Sequence, residues 1–306
     1  MTTSATTHTS FATTSGQGLR HDILPMRLYH KAKKLGVWDP RDIDFSRDKR
    51  DWQGFSDLEK ESILQLSALF MAGEESVTLD LLPLMMAIAE EGRLEEEMYL
   101  TTFLWEEAKH TEFFRRFVDE VAEERGDLTR YHTPSYRRLF YEELPTAMRA
   151  LRTDRSPVAL ARASVTYNMI VEGVLAETGY HVYFDMLTTR NLLPGLRQGV
   201  GYLKRDESRH LAYGVFLLSR LVASEPSLWS CIEERMTELL PLALGVVQES
   251  DTLLEPDVPR PFGLRVEDYM DYAMSQFSKR LERISRARDQ TLDQLYATSE
   301  LEAGVE

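Results

Sequence analysis

Cysteine is almost absent from this sequence: Cys231 is the only one in 306 residues. A lone thiol rules out an intrachain disulfide and a thiolate-ligated zinc or iron–sulfur centre, and it suits a reducing cytoplasm. Long apolar runs are missing too. The longest, Leu81 to Ala89, contains Pro83 and falls far short of the roughly 20 residues needed to cross a bilayer. Positive charge is in deficit, with 36 Lys plus Arg against 50 Asp plus Glu and a formal net charge of −14. Such a surface repels phosphate backbones and argues against nucleic-acid binding. Residues 1–18 are mostly Thr, Ser, Gly and Ala, with neither a basic start nor an apolar core. They do not read as a secretory signal. No stretch shows sustained period-two alternation bounded by turn residues, so no sheet is expected.

What remains is helical periodicity. The pattern predicts one all-α domain over 21–297, between a flexible tail at 1–20 and a C-terminal tail at 298–306. Trp38 and Trp52 are expected core anchors in the first short segments. Ser56-Asp57-Leu58-Glu59 reads as a capping box that opens a long helix to about Glu91, closed by Gly92. A second long helix is expected from Leu94 to Arg125. A shorter one lies between Asp127 and Asp154, with Pro134 and Pro145 as breakers. Ser156-Pro157 starts another, to about Arg190, and a further one runs to about Ser224. Two last helices, near 226–254 and 265–297, flank the breaker-rich 255–261.

Two of these helices carry a repeated motif: Glu107 with His110, and Glu207 with His210. Positions i and i+3 share one helix face, so each pair can reach one point from a rigid element. Glu74 stands thirty-three residues before Glu107, and Glu172 thirty-five before Glu207. Each interval is about one long helix plus a turn and half of the next, so two antiparallel helix pairs each set a lone Glu opposite a Glu-x-x-His. Apolar residues continue the faces of both motifs, among them Phe103, Phe114 and Phe117 near the first and Leu203 and Leu217 near the second. A carboxylate on an apolar stripe is costly unless it is paired or metal-bound. Paired Glu-x-x-His helices, each with a further Glu, are how a four-helix bundle holds two metal ions. Four carboxylates and two imidazoles suit iron and manganese, and the chemistry of such a pair is reductive activation of dioxygen.

Other groups read more plainly. Glu75, Glu106 and Glu112 are expected as solvated helix-face charges, and Glu177 with His181 as a surface pair. The run Pro83-Leu84-Met85-Met86 is expected in the core or on the wall of an adaptable cavity.

The six positions, their order and the long helices over about 55–255 resemble the ribonucleotide-reductase small-subunit branch of the ferritin-like superfamily. The resemblance implies a ferritin-like four-helix bundle core within a larger helical domain. It assigns Glu74, Glu107, His110, Glu172, Glu207 and His210 as metal ligands. Asp206-Glu207-Ser208-Arg209-His210 is similar to the family's second motif, which implies that Asp206 orients His110 through its outer nitrogen. Phe114 stands where a reductase subunit usually carries its radical-forming Tyr.

Val77, three residues after Glu74, and Tyr167, five before Glu172, resemble a pair in the ligand-binding oxidases of the small-subunit-like group. That resemblance implies one manganese and one iron ion per chain, or a di-iron pair as the alternative. It also implies a long-chain fatty-acid-like ligand at the metals, use of dioxygen, a Val77–Tyr167 ether cross-link and a homodimer. A five-residue spacing is not same-face in a regular α-helix, so the Tyr167 role implies a local distortion. The competing expectations are a reductase small subunit lacking the radical Tyr, an acyl-chain desaturase, and a ferritin-like iron store.

Overall fold

The computed structural model describes residues 8, 10–188, 190–251 and 259–297. The whole of the expected C-terminal tail, 298–306, and residues 1–7 and 9 of the N-terminal one lie outside the described residues. In the N-terminal tail, Ala12–Thr14 form a 3-10 turn, and the Arg20 backbone N–H donates to Glu95 at 3.0 Å. Among the described residues there is helix and no strand.

The helices, in order, are α1 (Leu24–Leu35), α2 (Ser46–Gln53), α3 (Asp57–Asp80), α4 (Leu82–Glu90) and α5 (Leu94–Phe117). Then come α6 (Pro134–Arg137), α7 (Leu144–Ala150), α8 (Pro157–Ser164), α9 (Glu177–Thr188) and α10 (Pro194–Ser224). The chain ends with α11 (Leu228–Asp251), α12 (Val266–Ser285) and α13 (Leu292–Ala297). Three π-helical stretches interrupt this series, at Val118–Ala122, Arg138–Glu143 and Val165–Ala176.

The start of α3 is fixed as its sequence suggests. Ser56 accepts from the Glu59 backbone N–H, and the Glu59 side chain accepts in return from Ser56, closing the capping box. The helix expected to run unbroken to Glu91 instead breaks at Leu81. Pro83 has no N–H to continue the ladder and is tolerated only in a first turn, so a new helix begins there. Pro134 and Pro145 likewise open α6 and α7 rather than ending helices. Helix α5 passes into π geometry and stops at Glu123, which takes a left-handed φ of 53°, a little before the expected Gly126.

The segment expected as one helix to Arg190 is α8, a π stretch and α9 in continuous register. The N-terminus of α10 is capped from a distance: the Gly195 and Leu196 N–H groups donate to the fully buried Asp48 on α2, at 2.9 and 2.7 Å. A buried carboxylate there satisfies orphan donors and complements the helix dipole.

Helix α3 packs on α5, α10 packs on the Val165–Ala176 stretch, and α11 covers that stretch from outside. The columns of α3, α5, α10 and the π stretch form the central bundle, with α1, α11, α12 and α13 around it. Trp52 is buried, whereas Trp38 is only half-buried and bonds inward to Asp206. No described helix is long and apolar enough to cross a membrane.

Candidate metal centre

Each column delivers ligand-type side chains to one place. Glu74 comes from α3, Glu107 and His110 from α5, Glu172 from the π stretch, and Glu207 and His210 from α10. None of the six is more than 6% exposed. They fall into two overlapping groups, Glu74–Glu107–His110–Glu207 and Glu107–Glu172–Glu207–His210, with ligand atoms within 4.8 Å of one another in each. Glu107 and Glu207 belong to both groups.

Five buried atoms in this cluster have no hydrogen-bond partner: Nδ1 of His110 and of His210, Glu107 Oε2, Glu172 Oε1 and Glu207 Oε2. Native interiors rarely leave such atoms unpaired. The two imidazoles turn the same nitrogen inward, with His110 Nδ1 3.3 Å from Glu207 Oε1 and His210 Nδ1 3.2 Å from Glu107 Oε1. The residues present fit a pair of hard-to-intermediate metal ions.

Electrostatics of the bare cluster point the same way. Burial, opposed by His110 and reinforced by the charges of Glu107 and Glu207, pushes the Glu74 carboxyl up to about 8. Burial and the Glu207 charge raise Glu172 well above the usual range. For Glu107 burial is outweighed by the two imidazoles close beside it, whose positive charge holds its carboxyl far down. Burial would lower His110, but Asp206, Glu107, Glu207 and Glu74 together raise it; His210 is raised against burial by Glu207, Glu106 and Glu107. A site that gathers protons in this way is one where cations can replace them.

The outer nitrogens of the two histidines are held by a crossed pair of acids. His110 Nε2 lies 3.4 Å from Asp206 Oδ2, and His210 Nε2 lies 2.9 Å from Glu106 Oε2. Each motif's leading acid therefore serves the other motif's histidine. Arg209 ties the two acids together, its Nη2 donating to Glu106 Oε1 and Asp206 Oδ1 at 2.5 Å each. Asp206 also accepts from Trp38 Nε1 at 2.7 Å. Lys109 donates to the Gly36 carbonyl at 2.5 Å. Gly36 has room for no side chain, since a Cβ there would strike Glu106 Oε1.

Glu106, expected as a solvated helix-face charge, is instead fully buried. The signal was present in the sequence, because Glu106 stands before Glu107 as Asp206 stands before Glu207. Glu75 and Glu112 are exposed, as expected. His181 stacks on Tyr272, with ring centroids 4.3 Å apart, and approaches Asp185 rather than Glu177. Pro83 and Leu84 are core, but Met86 is exposed and the methionine on the cavity wall is Met186.

The π stretch explains the five-residue spacing of Tyr167 and Glu172, since i→i+5 bonding brings such residues near one face. The Tyr167 hydroxyl donates to Glu107 Oε1 at 3.1 Å. Val77, 4% exposed, lines a cavity of about 200 Å³ that also reaches Glu74, Glu107, Glu172 and Glu207. Its walls include Leu66, Leu69, Phe70, Val171, Leu175 and Val182, and it extends to half-buried Asp251 and Arg260.

The family described as ribonucleotide reductase, small chain, matches residues 26–283. Solved structures of R2-like ligand-binding oxidases share the fold at 40% sequence identity. One, a tyrosine-to-phenylalanine variant with aerobically reconstituted Mn/Fe cofactor, covers 92% of this chain and 100% of its own, with a TM-score of 0.85. A valine-to-isoleucine variant with the same cofactor covers 91% and 100%, at 0.87. The oxidase with aerobically reconstituted Mn/Fe cofactor after a long soak covers 92% and 99%, at 0.87. The chain belongs to the ribonucleotide reductase small-chain family, and within it to the group of R2-like ligand-binding oxidases.

Proposed function

We propose that this protein is a dioxygen-dependent oxidase in which Glu74, Glu107, His110, Glu172, Glu207 and His210 hold one manganese and one iron ion. The observation that carries this is the pair of ligand groups sharing Glu107 and Glu207, with inward atoms that lack any other partner. The Mn/Fe cofactor of the similar oxidases supports the choice of metals. When bound, such a pair supplies electrons to dioxygen and oxidising power to what lies beside it.

The chain's own residues do the rest. Glu107 and Glu207, common to both groups, would be shared between the two ions, and Glu74 and Glu172 would each serve one of them. Asp206 and Glu106 fix the two imidazoles so that Nδ1 faces inward, which sets ring orientation and ligand basicity. The apolar walls exclude water and suit an alkyl chain, while a carboxylate at the inner end matches the cations; a long-chain fatty acid meets both demands. Tyr167, bonded to Glu107, and Val77, on the cavity wall, stand beside the cluster. Their proposed product is an ether between the Val77 β-carbon and the Tyr167 oxygen, formed with loss of two hydrogens.

The domain is proposed to span 21–297 between the two tails. Exposed Leu79, Leu82 and Met86 support a homodimer, and the single cysteine supports a cytoplasmic setting.

Metal analysis of wild type, His110→Ala and His210→Ala tests the centre. Two metals per wild-type chain are expected, with a loss in each variant; full occupancy in both variants overturns the ligand set. Mass measurement after oxygen exposure, with solvent extraction, tests the rest. A loss of two hydrogens that disappears in Tyr167→Phe, with release of a fatty acid, is expected. Separate Val77 and Tyr167 peptides from fully metallated, oxidised protein would shift the reading to a reductase subunit.

A further inference from the structure

A column of aromatic rings leaves the cluster between α5 and α10. Phe103 lies flat on His210, with centroids 3.6 Å apart at 15°, and is 5.9 Å from Tyr167. Tyr99 follows at 6.1 Å from Phe103, and Tyr213 at 5.2 Å from Tyr99. Phe216 and half-buried Tyr296 extend the series in steps of 6.3 and 6.0 Å. The spacing arises from the helices themselves, since Tyr99, Phe103 and Glu107 are four apart on α5, and His210, Tyr213 and Phe216 three apart on α10.

Stacked rings at helical spacing are ordinary core packing, and the rings alone would mean nothing more. The polar end of Tyr213 is what sets this column apart. Its hydroxyl donates to Glu96 Oε2 at 3.1 Å, and Glu96 is 2% exposed. Glu96 is flanked by Arg93 at 3.3 Å and Arg220 at 3.4 Å. Burial, opposed by both arginines, nevertheless raises its carboxyl above the ordinary value, so it takes a proton more readily than a solvated Glu.

A phenol gives up an electron readily only when its proton can leave at the same time, because the oxidised phenol is a strong acid. Four of the buried tyrosines near the cluster and the column are Tyr99, Tyr167, Tyr180 and Tyr213. Tyr99 and Tyr180 have hydroxyls with no hydrogen-bond partner, and Tyr167 donates to Glu107, itself a candidate ligand. Of the four, only Tyr213 gives its proton to a carboxylate outside the ligand set.

We propose that Tyr213 is a redox-active residue that donates one electron toward the oxidised metal pair through Tyr99 and Phe103, passes its phenol proton to Glu96, and holds the resulting neutral tyrosyl radical. The inference rests on the dimetal reading above. The balance is complete: Tyr213 is oxidised by one electron, the metal pair is reduced by one, Glu96 gains the proton, and dioxygen is the ultimate oxidant. No bond between heavy atoms forms or breaks. Tyr99, lacking an acceptor for its proton, serves as a conducting ring and not as a resting place.

The test uses full-length protein loaded anaerobically with Fe(II) and Mn(II), mixed with dioxygen, frozen at successive times and examined by electron paramagnetic resonance. Wild type and Tyr167→Phe are both run, the latter because it removes the competing phenol. A tyrosine radical is expected, identified by narrowing of its signal when ring-deuterated tyrosine is incorporated. Tyr213→Phe abolishes it, Glu96→Gln lowers its yield by roughly tenfold or more, and Tyr99→Phe leaves it on Tyr213. Metal content and oxygen uptake are measured on every sample. Two bound metals with oxygen uptake but no tyrosine radical in either background overturn the proposal, as does an unchanged radical in Tyr213→Phe. Protein that binds no metal overturns both this proposal and the dimetal reading.

Discussion

Arg209 is a fully buried cation whose charge is met by two buried carboxylates, Glu106 and Asp206. Removing one partner of a buried pair costs far more than the pair contributes, because the remaining charge stays desolvated. Glu106→Ala also leaves His210 Nε2 without its acceptor. We expect that variant to lose on the order of 3–5 kcal/mol in chemical denaturation. Glu112→Ala, exposed on the same helix, should stay within about 0.5 kcal/mol of wild type. A small loss for Glu106→Ala would mean that water reaches Arg209. The same region shows how side chains can be misread from sequence. All six ligand-type residues were visible because Glu and His at i and i+3 recur on apolar faces. Glu106 was not, because a run of Glu-Glu at the edge of an apolar stripe looks like a wet face. Comparing the two motifs position by position, with Glu106 matched to Asp206, would have placed it.

The helices themselves were legible in existence and order but not in their interruptions. Apolar periodicity is blind to one inserted residue, so the π stretches were hidden, except where the five-residue step from Tyr167 to Glu172 demanded a distortion. The break at Leu81 was written in Pro83 and lost within a continuous apolar run. Close approach of α5 and α10, which sets the distance between the two Glu-x-x-His faces, depends on a residue with no periodic signal. Gly199 on α10 sits against the Phe113 ring of α5 so tightly that a Cβ would overlap it. Phe113 is fully buried and ringed by Trp38, Phe45 and Phe114, so it has little room to yield. Gly199→Ala gains about 1 kcal/mol of helix propensity, but overpacking of this kind typically costs about 1–3 kcal/mol. A lower Tm and weaker metal retention are expected for that variant. Gly201→Ala, on the same helix with open space around it, should be as stable as wild type or more so. Equal gains in both variants would show that the two helices can separate freely.

For the molecule as a whole, the bundle's stability and its metal content are one equilibrium seen from two sides. Without metal, the centre is a buried set of acids and imidazoles held together by protons. Glu74 has a folded-state pKa of about 8 against an ordinary 4.5. An acid shifted upward favours the folded state while it is protonated, and that contribution is lost as pH rises between those two values. Glu172 is shifted in the same direction, by burial and the Glu207 charge. His110 and His210, raised by the surrounding carboxylates against burial, contribute below their ordinary 6.5 and lose that contribution as pH climbs through their folded values. Glu107 and Asp206 are shifted down, so their contributions are complete above the usual carboxylate range and stay constant over this interval. The Tm of metal-free protein should therefore fall from about pH 5 to about pH 8. Divalent metal reverses the trend, because each ion takes the place of protons that the site would otherwise hold, and affinity rises as those protons become easier to remove. The gap in Tm between loaded and metal-free protein should widen with pH, and loading in weakly buffered solution near neutrality should release protons. Thermal melts of both forms across this range, with pH recorded during metal titration, measure each part. A metal-free Tm that rises toward pH 8, or loading that releases no protons, would mean that the six side chains do not share one buried centre.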